Sequence, residues 1–365
     1  PVEVQDGFNR GMNSRKAIYK LFPQAAPNRY LIDKRGTPPC RAACPAGTNV
    51  QGYVALISRG KFAAALEVIH RRLPFAGICG RICHHPCERD CNRGEIDAPV
   101  AIAALKRAAA DYGWDDAGAE RPAYNPTRPE RVAVIGGGPA GLTAAGDLVQ
   151  KGYQVTIFEA LPSVGGWLKY GIPAYRLPPA VVQREIDALL RHGIEVRCGV
   201  RVGADITMDE IRRAYDAVLV AVGCQQSRKL PVEGAALVGV VAGGDFLRAV
   251  RLGENPRAGR KTVVIGGGNV AMDAARTALR QGAEEVRVVC LEARGEMPAH
   301  EWEIAAAEEE GVVIQPGWGP VRIAGSGGKA AAVELKACIA AFDGEGRFAP
   351  RYDEARTLTL AADTV

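Results

Sequence analysis

Residues 131–160 read RVAVIGGGPAGLTAAGDLVQKGYQVTIFEA: a strand, a glycine turn, a helix and a second strand. Val132–Ile135 is a short β-branched apolar run, suited to a buried parallel strand. Gly136, Gly138 and Gly141 fill a G-x-G-x-x-G frame, with Pro139 and Ala140 opening the helix. The first glycine permits a tight turn, the second lets the backbone approach a pyrophosphate, and the third lets helix and strand pack closely. Unpaired N–H groups and a partial positive charge at the helix N-terminus favour phosphate. Glu159 ends the next strand, 23 residues after Gly136, where an acid accepts hydrogen bonds from a ribose.

The pattern recurs 130 residues later in KTVVIGGGNVAMDAARTALRQGAEEVRVVCLEA, Lys261 to Ala293. Gly266, Gly268, Asn269, Val270 and Ala271 occupy the second frame, and Glu292 follows its second strand. Two such folds imply two dinucleotides, and a flavin with a nicotinamide is the natural hydride-exchanging pair. Glu292 favours the free ribose hydroxyls of NAD over a 2′-phosphate. Arg294, two residues on, is an available phosphate ligand, so NADP stays open.

Between the frames, LPSVGGWLKYGIPAYRLPP (161–179) is too long and proline-rich for a surface turn. Gly165, Gly166 and Leu168 are expected beside a flat ring, and Arg176 is expected to face a flavin or phosphate. VLVAVG (218–223) reads as a buried strand whose closing Gly223 lets a ribityl chain pass.

Upstream, residues 37–98 hold Cys40, Cys44, Cys79, Cys83, Cys87 and Cys91, spaced C-x3-C within each group. Gly80 and Pro86 argue against one continuous helix, so 79–91 is read as a loop turning thiolates inward. Cys-Pro punctuation suits an iron–sulfur cluster. Structural zinc more often uses C-x2-C. Disulfides are disfavoured because nothing suggests export. His84 and His85 are read as ligands or, more simply, as polar loop residues. Helices are expected at 50–58, 62–71 and 100–112, and a linker at 114–128. Cys198, Cys224, Cys290 and Cys338 are isolated, and without a C-x-x-C no thioredoxin-reductase-type relay is expected. No acid–base catalyst is named, because the cofactors carry the chemistry.

The 365 residues carry a net charge of +5, and residues 1–120, with 17 basic and 12 acidic side chains, account for all of it. That excess suits cluster thiolates or an acidic partner, and it is too mild for nucleic acid. No apolar run reaches membrane-spanning length and no signal peptide is visible, so a cytoplasmic location is expected. A first residue other than Met and an uncapped end suggest a piece of a longer polypeptide.

Taken in order, CRAAC, CGRICHHPCERDC, VIGGGPAGL, GGWLKYGIPAYRLP, VIGGGNVAMDAAR and MPA resemble the small (β) subunit of NAD(P)H-dependent glutamate synthase. They also resemble matching segments of dihydropyrimidine dehydrogenase and of NAD(P)H:ferredoxin transhydrogenases. The resemblance spans residues 38–365. It implies an α/β protein: two Rossmann-like dinucleotide-binding domains, for FAD and NAD(P), preceded by a small α-helical iron–sulfur domain. Residues 1–36, GMNSRKAIYKLFPQAAPNRYLID among them, are similar instead to the FAD-containing A subunit of heterodisulfide reductase. There the stretch follows a cysteine motif ending Cys-Pro, and Pro1 is read as that proline.

Three departures stand out. Tyr30–Pro39 lacks the family's further cysteines, so six cysteines support one [4Fe-4S] cluster fully and a second only partly. The family's polar ligand in the following helix falls near Lys106, which cannot ligate iron. Leu291-Glu292 replaces the arginine pair of NADP-dependent members. The resemblance also implies that a strand and helix following Ala-Asp-Thr-Val complete the FAD domain.

The expected organisation is 1–36, a heterodisulfide-reductase-A-like segment; 37–120, the cluster domain; 121–234, the FAD domain; and 235–365, the NAD(P) domain. The expected activity passes electrons from NAD(P)H through FAD to a [4Fe-4S] cluster and on to a partner subunit or domain. Supply of electrons for glutamate formation and a non-catalytic relay scaffold are the alternatives.

Overall fold

The computed structural model describes residues 37–114, 124–228, 230–256 and 258–365. The heterodisulfide-reductase-like stretch 1–36 and most of the 114–128 linker lie outside the described residues.

The cysteine-rich part is helical: α1 (Pro39–Ala42), α2 (Val50–Ile57), α3 (Phe62–His70), α4 (Ala76–Ile82), α5 (Pro86–Arg89) and α6 (Ile102–Tyr112). Asn49 caps α2 by accepting the Gly52 N–H at 3.1 Å. Tyr53, Ala65, Ile69 and Ala109 form a closed core, and the Tyr53 hydroxyl donates to the Ile102 carbonyl. The loop expected at 79–91 needs correction, because Cys79 lies inside α4. Gly80, read as a breaker, sits mid-helix because a Cβ there would come within 2.7 Å of the Arg107 backbone. Helices α4 and α6 therefore cross in backbone contact. The chain breaks at Cys83–His85 and Pro86 opens α5.

Next come β1 (Arg131–Ile135), α7 (Pro139–Gln150), β2 (Gln154–Glu159), α8 (Trp167–Tyr170), α9 (Pro179–Leu190), β3 (Glu195–Cys198), α10 (Met208–Ala214) and β4 (Ala217–Val220). The sheet is parallel in the order β3-β2-β1-β4. β1 has β2 on one side and, after the chain crosses back from β3, β4 on the other. The crevice beyond their carboxyl ends is the switch point where such sheets bind ligands, and the first glycine turn lies there. Val134, Leu142, Ile157, Leu177 and Ile186 fill the core beneath it.

The second unit holds α11 (Gly243–Arg251), β5 (Lys261–Ile265), α12 (Asn269–Arg280), β6 (Glu285–Cys290), α13 (Glu301–Glu309) and β7 (Val313–Pro316), with parallel order β5-β6-β7. An antiparallel meander follows: β8 (Trp318–Ser326), β9 (Lys329–Phe342) and β10 (Phe348–Ala361). Its last two strands, 14 residues each, extend by ladder pairing through mixed polar and apolar sequence. The chain then returns to bridge β5, pairing Thr364 with Thr262. Among the described residues no helix is long and apolar enough to cross a membrane.

Candidate cofactor sites

The first frame is built by backbone proximity. Gly136 takes φ +106, and a Cβ on it would strike the Ala221 carbonyl of the segment following β4. A Cβ on Gly141 would strike the Gly136 carbonyl. At Gly138 the nearest atom to such a Cβ is Gly166 Cα, 4.0 Å away, so the turn faces the 161–179 segment backbone to backbone. The Gly165 N–H donates to the Gly137 carbonyl at 2.7 Å. Glu159, 7% exposed, accepts the Gly137 N–H at 2.7 Å and the Leu161 N–H at 2.8 Å. Each carboxylate oxygen keeps a lone pair for a ribose hydroxyl. A cradle whose first and third glycines admit no side chain, with a fixed acid at its rim, fits the adenosine-pyrophosphate half of FAD. Gly223 follows β4 with φ +65. Leu168 is packed into the core.

The second frame repeats the geometry. Gly266 takes φ +135, and nothing lies within 4 Å of a Cβ built on Gly268. Val270 is exposed and Ala271 nearly buried at the start of α12. A Cβ on Gly267 would lie 3.0 Å from Glu292 Oε2, so the acid reaches the turn as expected. Asn269 Oδ1 accepts the His300 N–H at 2.9 Å, and the Gly267 carbonyl accepts the Ala299 N–H. The Met297–His300 stretch is thereby tied to the nucleotide turn.

Both arginines are held by carboxylates. Arg176 bridges Asp273 of α12 at 2.5 Å and Glu303 of α13 at 2.6 Å. Two buried carboxylates of the second unit draw it across the domain boundary. Asp273 is 6% exposed, and burial, against the pull of Arg176, pushes its carboxyl up to about 6. Beside it the Tyr175 ring packs between Arg276 and Arg280, which hold Glu310 at 2.7 and 2.5 Å. Arg294 pairs with Glu301 and Glu308.

The thiols gather where α1, α4, α5 and α6 meet. Cys40 feels the charge of Cys91 and then Cys44, whereas Cys79 and Cys87 each feel Cys83 and Cys44. Burial pushes Cys79 and Cys87 up to about 11, so these thiols keep their protons until iron displaces them. Among the described residues no three metal-binding side chains converge on one ion. A cubane asks something else, because each of its cysteines takes a different iron. Six half-buried to buried thiols on facing helices fit such a group.

Two contacts fix this domain to the others. Glu185, on the apolar face of α9 with Val182, Ile186 and Leu189, is 1% exposed. It accepts the Gly77 N–H at 2.5 Å and the Ile78 N–H at 3.0 Å, closing the N-terminus of α4. On the other side four rings stack across the cluster loop and the nicotinamide unit. Centroids lie 6.0 Å apart for His84–His300, 4.4 Å for His300–Trp302 and 4.5 Å for His85–Trp302. His85 adopts the left-handed φ of 40° that this docking requires, held by Glu88 at 3.2 Å. An acid inside an apolar stripe was the available signal for Glu185; nothing local signalled the stack.

Burial pushes the Glu185 carboxyl up to about 7, against its two N–H donors. The folded state thus holds this proton more tightly than the unfolded chain. The stabilisation is complete below pH about 4.5 and is lost as pH rises towards 7. A shift of this size corresponds to about 3 kcal/mol. Glu185→Gln is therefore expected to flatten the fall in urea-unfolding stability between pH 5.5 and 7.5. An equally steep fall in the variant would assign the dependence elsewhere.

Two parallel sheets, each with a glycine turn at its nucleotide end, and a thiol-bearing helical domain docked on both define a class: a two-dinucleotide oxidoreductase with an iron–sulfur domain. The chain belongs to the pyridine nucleotide-disulphide oxidoreductase family, whose pattern matches residues 130–341. Residues 32–117 match dihydropyrimidine dehydrogenase domain II, 4Fe-4S cluster. The chain is 44% identical over 301 residues to the NADP(+)-dependent formate dehydrogenase subunit beta of Moorella thermoacetica, covering 76% of this chain and 43% of that one. It is 37% identical to the NAD-dependent dihydropyrimidine dehydrogenase subunit PreT of Salmonella typhimurium, covering 79% and 70%. It is 34% identical over 370 residues to the glutamate synthase [NADPH] small chain of Azospirillum brasilense, covering 95% and 76%. The chain thus spans less than half of the Moorella relative's length. Among solved structures, Mycobacterium tuberculosis FprA in complex with NADPH shares the fold at a TM-score of 0.58 and 21% identity, covering 65% of this chain and 70% of that one. FAD, a nicotinamide nucleotide and a [4Fe-4S] cluster are accordingly the cofactors of this oxidoreductase.

Proposed function

We propose that this chain is the electron-input module of a larger cytoplasmic assembly, taking reducing equivalents from NADH and delivering them to a partner subunit or domain. The observation that carries this reading is the joint docking of the thiol-rich domain on both nucleotide units, through Glu185 on one side and the histidine–tryptophan stack on the other. When bound, the cofactors supply hydride transfer from nicotinamide to flavin and single-electron transfer onward through the cluster. Gly136–Gly141, Glu159, Gly165 and Gly166 hold FAD, with Gly223 lining its path. Gly266, Gly268, Asn269, Val270 and Ala271 receive the nicotinamide nucleotide's pyrophosphate, and four of the six clustered cysteines hold iron. Arg176 and Tyr175 hold the two nucleotide units in register.

Glu292 selects NADH by accepting from the ribose hydroxyls and repelling a 2′-phosphate. Relatives carry NAD, NADP and NADPH in their names, so the choice lies with this residue. Because a hydrogen bond to a charged group contributes about 1.5–3 kcal/mol, Glu292→Gln should lower the NADH-to-NADPH ratio of kcat/KM by roughly 10- to 100-fold. Wild-type protein that prefers NADPH would sink the assignment.

A second reading, electron supply for glutamate formation, draws on the Azospirillum small chain, whose similarity reaches across 95% of this one. Reconstitution with a glutamate synthase large chain distinguishes the two: glutamate formed from 2-oxoglutarate and glutamine favours this second reading.

A further inference from the structure

The helix after the last clustered cysteine buries a charge among apolar residues. On α6 the inward face is Ile102, Lys106, Ala109 and Ala110, and Lys106 is 4% exposed. The acids nearby are committed elsewhere. Asp111 pairs with Arg81 and Arg107, and Glu88 pairs with His85 and accepts the Ala103 N–H. Neither acid forms an ion pair with Lys106. An ammonium buried without a counter-ion is costly, so its surroundings should supply negative charge.

What faces it is sulfur. Cys44, Cys79 and Cys87 all feel the Lys106 charge, and Cys83 neighbours Cys79 and Cys87. The geometry is enforced by the α4–α6 crossing: Gly80 meets the Arg107 backbone, and Cys79 and Lys106 each precede the touching residue. Cys40 feels Cys91 first and Cys44 after it.

We propose that Lys106 is the buried counter-cation of a [4Fe-4S] cluster ligated by Cys44, Cys79, Cys83 and Cys87, and that it raises the cluster's reduction potential. The inference rests on the reading that this domain holds a cluster. Four thiolates leave the cluster anionic in both oxidation states and one charge more negative when reduced. A fixed positive charge beside the thiols, on a largely buried side chain, stabilises the reduced form more. An ammonium has no lone pair for iron, so the residue acts through charge and Cys79 completes the ligand set.

Redox titration of the whole FAD- and cluster-loaded protein, followed by electron paramagnetic resonance, tests this. Lys106→Met should lower the cluster midpoint with iron and sulfide per chain unchanged, and Lys106→Arg should stay near wild type. The flavin midpoint should not move in either. An iron-replete Lys106→Met protein with a wild-type midpoint overturns the proposal. If that variant does not retain iron, Lys106→Gln is judged by the same criterion. The ligand set is read independently: Cys79→Ala should lose the four-iron signal while Cys40→Ala keeps it, and the reverse result overturns the set. Wild-type protein reconstituted under anaerobic conditions that binds no iron or sulfide would instead overturn the cluster reading itself, so the two failures are distinct.

Discussion

Valine at position 141 is expected to empty the flavin site. A Cβ on Gly141 would run into the Gly136 carbonyl, and Val134 Cγ1 lies 3.2 Å away on the strand side. Neither obstacle is the end of a flexible side chain: one is backbone, the other a buried strand residue. The start of α7 would have to retreat, and with it the N–H groups that receive the pyrophosphate. Overpacking of this kind costs about 1–3 kcal/mol in repackable cores and more where backbone must move. FAD affinity should therefore fall at least ~100-fold, measured as flavin per chain and by reconstitution with FAD. The second frame provides the control. Ala271 occupies the corresponding place, and its methyl would stand 3.9 Å from a Cβ on Gly266, so that turn is roomier. Ala271→Gly should leave flavin content unchanged. A fully flavinated Gly141→Val protein would mean that FAD does not lie on this turn.

Arg176→Ala is expected to be the most destabilising change at the boundary between the nucleotide units. It leaves Asp273 without its ion-pair partner and Glu303 with only Arg276 at 3.5 Å, both acids being under 10% exposed. Breaking one partner out of a buried pair typically costs about 3–5 kcal/mol. Asp273 titrates at about 6 even with the arginine present, so the variant can relieve the stress by taking up a proton. Its folded-state pKa lies above the usual carboxylate value. Its contribution to stability is therefore largest in acid and lost as pH rises through about 6. Arg176→Ala should thus recover part of its stability between pH 7.5 and 5.5. Adding Asp273→Asn and Glu303→Gln should recover most of it at pH 7.5. A single variant as stable as wild type at pH 7.5 would show that the ion pairs do not hold the units together.

These two residues also mark what was legible in the sequence. The glycine frames were, because turn, helix start and acid lie within thirty residues and each demand is local: a positive φ, a close backbone approach, a strand-end carboxylate. The order of domains was legible for the same reason. Arg176 was not, because its partners lie some 100 and 130 residues away, and the chemistry that attracts a phosphate equally attracts two buried carboxylates. Gly80 misled because a glycine that breaks a helix and one that lets two helices touch look alike until the second helix is known. Glu185 and Lys106 carried a readable signal, a charge at i+3 or i+4 within an apolar stripe. The partner each acquired depended on a crossing no local pattern records.

Electrons are expected to enter from a nicotinamide nucleotide, pass through FAD and leave through the cluster. The most direct measurement is an anaerobic spectral titration of the full-length protein with NADH, and separately with NADPH. NADH should bleach the flavin bands first and the broad iron–sulfur absorbance next, with NADPH far less effective. A protein that carries flavin and iron yet is reduced by neither nucleotide would contradict it, leaving only a relay that takes its electrons from another protein.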